Sequence, residues 1–134
     1  MNALVIQAPL TDDRVRGIES LASALNWPCY VVDLAGCLEK PELLQRIADT
    51  LLFPSWFGQN WDAFFDCLVD LASARRATGC VIILRNAAAM REHAPEALDT
   101  ALGILEDAAK VWERRSVAMR TFIDVAVPVA SAQP

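Results

Sequence analysis

Three aspartates, Asp62, Asp66 and Asp70, recur every fourth residue and are the side chains in this sequence best placed to do chemistry. At that spacing they share one side of a helix, while Trp61, Phe64, Phe65, Leu68 and Leu71 form the opposite stripe. Like charges one turn apart repel, so a helix shaped by stability alone normally interleaves a lysine. Here residues 47–74 hold a fourth aspartate, Asp49, and no lysine or arginine, a net charge of −4 in 28 residues. Two carboxylates a turn apart could hold Mg²⁺, and Cys67 could act as a nucleophile with His93 as base. No third carboxylate, phosphate loop or serine elbow completes either site, so the expectation is no catalysis, no metal and no cofactor.

A solvated face is the ordinary meaning of an acidic stripe, but the residues ahead of this one change the reading. Trp56, Phe57 and Trp61 crowd around Gly58, and aromatic anchors beside carboxylates are the make-up of a protein–protein contact. Phe57 or Trp61 is expected to pack beneath the loop, leaving Trp56 exposed. The stripe is then a surface for a cationic partner.

The elements that must carry these residues follow from apolar periodicity. Residues 3–6 form a short strand-like run, and 12–25 repeat at helical spacing with Thr11 as N-cap. CYVVDL (29–34) reads as a buried parallel strand. A helix over 39–52 has Leu43, Leu44, Ile47, Leu51 and Leu52 on one face, with Pro41 tolerated in its first turn. The 53–59 loop leads to a helix from 61 to about 73, with Asn60 suited to cap it. GCVIILRN (79–86) is a central strand, 94–113 a long helix with His93 at its start, and 117–127 a last strand closed by Pro128. Alternating strands and helices predict an α/β fold, a small parallel sheet covered by helices. It has three strands, or four if the N-terminal run joins it.

The run FPSWFGQNWDAFFDCLVDL (53–71) resembles the signature of the barstar family of ribonuclease inhibitors. That signature is Pro, any residue, two aromatics, Gly, a polar residue, Asn, any residue, Asp-Ala, two apolar or aromatic residues, Asp-Cys-Leu. The match covers some 15 positions without a gap, and the order of elements extends it over residues 28–127, with 1–27 as a strand–helix extension and 128–134 as a tail of a single domain. The resemblance implies a loop-and-helix wedge that enters a ribonuclease active site. It assigns the main acidic contact to Asp66, a second to Asp62, the loop asparagine to Asn60 and the stacking aromatic to Trp56. Phe65 stands where a tryptophan is known, Phe57 and Gly58 lie along the partner's catalytic groups, and a carboxylate of the last helix is either Glu106 or Asp107. Trp56-Phe57 replaces tyrosines common in the family, so hydroxyl contacts to the usual partner are absent. The alternative is a barstar-fold protein or antitoxin for another basic protein or a non-ribonuclease toxin.

Composition sets the setting. With 17 acidic and 12 basic residues in 134, the net charge of −5 disfavours direct nucleic-acid binding. The longest apolar runs fall far short of the roughly 20 residues that span a bilayer, and the start carries no basic leader, so a cytoplasmic protein, monomeric when free, is expected. Cys29, Cys37, Cys67 and Cys80 show no CxxC pair and read as buried thiols.

Overall fold

The computed structural model describes residues 3–54, 57–74 and 77–124. Its elements, in chain order, are β1 (Val5–Ala8), α1 (Asp12–Ala24), β2 (Cys29–Asp33), α2 (Lys40–Leu51), α3 (Trp61–Ala74), β3 (Gly79–Arg85), α4 (Ala88–His93), α5 (Pro95–Arg114) and β4 (Ala118–Asp124). The four strands form one parallel sheet in the order β1-β4-β3-β2. The N-terminal run therefore does join the sheet, at Val5–Ala8, pairing with Thr121–Asp124. Residues 125–127 of the expected last strand, and the tail, lie outside the described residues.

The sheet's two faces are covered unequally, and strand sequence explains how. Every residue of β3 except Arg85 is buried, as expected of a central strand packed on both sides. Ile82 and Leu84 face a large core shared with α2, α3, α4 and α5, while Val81 and Ile83 face a smaller one with Val15 and Ala22 of α1. From β1 the chain crosses the sheet in one direction and then returns strand by strand in the other. Right-handed crossovers therefore put α1 on one face and the remaining helices on the other.

Local chemistry fixes the helix ends. Thr11 accepts a hydrogen bond from the Arg14 amide at 3.1 Å, and Asp12 and Asp13 occupy the positive end of α1. At α2 the Glu42 carboxylate accepts from the Leu38 and Glu39 amides, both at 3.0 Å. That helix ends at Leu52, whose backbone is left-handed (φ 59°, ψ 48°) and whose side chain is 74% exposed. A non-glycine residue in this conformation costs about 1–2 kcal/mol. Helix α4 has no counterpart in the sequence reading: its six residues are too few to show a period, and His93 closes it rather than starting the next helix. Pro95 starts α5.

Two contacts tie the N-terminal unit and the strand ends to the rest. The Trp27 indole lies against the Gly79 backbone and donates to Thr78 Oγ1 at 2.8 Å. A Cβ on residue 79 would meet indole carbons at 2.5–2.7 Å. At the other end of the sheet, Asp33 Oδ1 accepts from Asn86 Nδ2 at 2.7 Å and from the Ala35 amide at 3.0 Å. The Asn86 bond, then the Ala35 amide, holds the Asp33 carboxyl below the usual carboxylate range.

Gly79→Ala is expected to destabilise the fold by about 2 kcal/mol, because the rigid indole cannot step aside; a lower urea midpoint checks this. The stability contributed by Asp33 is complete above the unfolded aspartate value of about 3.9 and is lost as pH falls through the lower folded value. Asp33→Asn should flatten that part of the acid limb of a stability–pH curve.

Candidate functional site

Helix α3 is held so that its acidic side looks outward. Phe64, Cys67, Leu68 and Leu71 are buried, whereas Asp62, Asp66 and Asp70 are exposed, as the spacing of the two stripes dictates. Helix α5 packs beside it, and the buried Trp112 indole donates to the Leu68 carbonyl at 3.0 Å, fixing how the two helices lie against each other. Trp61, Asp62, Phe65 and Asp66 then face Ile104 and Asp107 of α5 across an open cleft of about 530 Å³. Three of the carboxylates singled out by sequence converge there on an apolar floor.

Asp107 and Glu106 part company at this point. Glu106 pairs with Lys110 at 3.8 Å along α5, while Asp107 lines the cleft. Asp62, Asp66 and Asp107 have no hydrogen-bond or ion-pair partner among the described residues. Asp62 alone gains from the helix N-terminus. Asp70 does not line the cleft.

The loop ahead of α3 is built inward. Phe57 packs edge-on against Phe53, with ring centroids 5.3 Å apart, and Phe53 and Trp61 both pack near Phe64, at 6.3 and 6.2 Å. Phe57 thus lies beneath the loop while remaining part-exposed. Asn60 Oδ1 accepts from the Ala63 amide at 2.8 Å, so this side chain caps α3 and has only its amide group left for a partner. Gly58 is exposed, and a Cβ there would sit 3.2 Å from Asn60 Nδ2, close enough to press on the cap. Trp56, the expected exposed anchor, lies outside the described residues.

Three parts of the site left no mark that the sequence reading caught. Lys40 lies over the Trp61 ring, 4.9 Å from its centroid, joining the start of α2 to the start of α3. Gln59 Nε2 donates to Gln45 Oε1, bracing the loop against α2. Ile104 supplies the cleft's α5 wall. The Glu39–Glu42 spacing could have marked where α2 begins, but the two cross-element contacts need the fold.

The same geometry speaks against thiol chemistry. Cys67 is buried, and burial, with Asp70 and Asp66 adding to it, pushes its thiol above the ordinary range, the reverse of what a thiolate nucleophile needs. His93 lines a different groove, with Glu39, Lys40 and Glu96 among its neighbours. Cys29 is pushed up to about 11, chiefly by burial, and no disulfide joins any of the four cysteines. Among the described residues no cluster of three His, Cys, Asp or Glu side chains could hold a metal ion, and no helix is long and apolar enough to cross a membrane.

Fold and cleft together define a parallel α/β domain that presents an acidic, aromatic-floored recess between two helices. Residues 27–124 match the family model described as Barstar (barnase inhibitor), and the chain belongs to that family. Comparison with curated proteins finds no match. Among solved structures, a chain in "Structure of Drosophila ORC bound to DNA" is similar, with a TM-score of 0.57 and 13% identity. The likeness covers 95% of this chain and 32% of that one, so this domain spans about a third of the chain it matches. At such identity it is a likeness of fold alone, and it reaches into the N-terminal unit that the family model leaves out.

Asn60→Ala should cost about 1 kcal/mol of stability through the lost cap, measurable as a lower urea midpoint. Asn60→Ser, which keeps an oxygen for the Ala63 amide, should recover most of it.

Proposed function

We propose that this protein inhibits a ribonuclease by seating its acidic cleft in the enzyme's cationic active site. The observation that carries the reading is the convergence of Asp62, Asp66 and Asp107, without an ion-pair partner among the described residues, on a floor of Trp61, Phe65 and Ile104. A ribonuclease gathers lysines and arginines to hold phosphate. Carboxylates gathered in one cleft draw such a surface in at long range, and form ion pairs once water is squeezed from the cleft. The apolar floor shields those pairs from solvent and supplies hot-spot area. Asp66 is the central contact in this reading, Asp62 and Asp107 flank it, Phe57, Gly58 and Asn60 contribute from the loop, and Trp56 is the aromatic contact that the family resemblance assigns. Membership of the barnase-inhibitor family supports the choice of enzyme class.

Under this proposal residues 1–134 act as one domain, with 1–27 an addition to the family core, in the cytoplasm of the cell that makes the enzyme. In this reading side chains alone make the contact, with no metal or cofactor, and the protein acts as an inhibitor and not as an enzyme. The cognate enzyme differs from one that depends on tyrosine hydroxyls, since Trp56-Phe57 offers none.

Titration against barnase and a panel of small basic ribonucleases should give stoichiometric loss of activity for at least one of them. Asp66→Ala should raise the dissociation rate by tenfold or more, roughly the loss of one hot-spot contact. Association should slow steeply between about 50 and 500 mM salt. Association that ignores salt, or a panel left fully active, would refute the reading; rescue from a non-ribonuclease toxin instead would favour the antitoxin alternative.

A further inference from the structure

Among the described residues four large apolar side chains are exposed, and the most exposed of these, Leu52, sits where the candidate loop begins. Its neighbours Leu51 and Phe53 turn into the core, so Leu52 adds nothing to packing. Its left-handed backbone is one that glycine or asparagine adopts without strain. The fold alone gives no reason for a leucine there.

Leu52 does not stand by itself. Gln45, Asp49 and Leu52 lie at i, i+4 and i+7, one stripe along α2 and its cap. Gln45 accepts from Gln59 of the loop and donates to Asp49 Oδ1 at 2.7 Å, so this stripe borders the loop just ahead of the α3 cap. Asp49 is exposed and oriented by a neutral amide. The two cations of α2 itself are otherwise engaged: Arg46 donates to the carbonyls of Asp33 and Ala35 at 2.6 and 3.2 Å, and Lys40 covers Trp61.

We propose that the partner-binding surface continues from the α3–α5 cleft across the loop onto α2, where Asp49 and Leu52 contact the same basic ribonuclease. This rests on the reading of the cleft given above. The occupant follows from charge and continuity: the rim of a phosphate-binding groove is cationic and suits Asp49, while Leu52 supplies an apolar contact that shields it. The Gln45–Gln59 hydrogen bond links α2 to the end of the loop.

The test uses the full chain and whichever ribonuclease of the barnase-containing panel it inhibits. Leu52→Gly should raise the urea midpoint while making the complex dissociate about tenfold faster, a combination that a merely structural leucine cannot give. Asp49→Asn should leave the midpoint unchanged and slow association roughly two- to threefold at low salt, the difference vanishing at high salt. Leu21→Ala, which trims an exposed leucine of α1, should change neither rate. If the wild-type protein inhibits but Leu52→Gly and Asp49→Asn bind as it does, this inference falls and the cleft reading stands. If no ribonuclease is inhibited by the wild type, the cleft reading falls and takes this inference with it.

Discussion

Aspartates in a row repel one another, and α3 tolerates them because its other side is committed to the core. Phe64, Cys67, Leu68 and Leu71 are buried there, and the Trp112 indole reaches the Leu68 carbonyl from α5. Full burial of one large apolar side chain is worth about 1.5–3 kcal/mol, whereas each i,i+4 repulsion costs only a few tenths. Packing wins by a wide margin. The same packing brings Asp107 opposite Asp62 and Asp66, so the charge density of the cleft is a by-product of how two helices share a core.

Binding through such a face depends on what has been ordered beforehand. The Phe53–Phe57 and Trp61–Phe64 contacts, the Asn60 cap, the Lys40–Trp61 stack and the Gln45–Gln59 brace each remove freedom from the loop or the first turn of α3 before any partner arrives. A contact surface held this way loses less side-chain and backbone entropy on association. Residues read from sequence as contacts thus divide in the structure. Asp62, Asp66, Phe65 and Asp107 line the cleft, while Phe57 and Asn60 use much of their capacity to hold the loop.

The sequence was most legible where one physical rule dominated. The unbroken apolar run of β3 and the period of α3 and α5 were plain because burial on a fixed face imposes a fixed spacing. α4 escaped because its six residues span fewer than two helical turns, too short for a repeat to show, and the exact limits of β1 because the apolar run 3–6 starts ahead of Val5 and is broken by Gln7 before the strand ends at Ala8. Which of Glu106 and Asp107 lines the cleft is not legible on the chain alone, since adjacent residues on a helix differ by about 100° and the lie of α5 against α3 decides which one faces it. Lys40 and Gln45 were invisible for a related reason: their partners are far along the chain, and nothing in an isolated lysine or glutamine announces a neighbour.

The pairing of the first strand with the last carries a consequence for how the molecule comes into being. Val5 lies beside Thr121, so β1 has no ladder to join until the chain has been made through β4, more than a hundred residues later. Contacts this distant in sequence form late and slowly, because the intervening loop must close before they stabilise anything. β4 also borders β3, and its arrival therefore satisfies two strands in one step. Completion of the sheet accordingly waits on β4, and a chain cut short before residue 118 keeps three strands with no means of joining the first to the others.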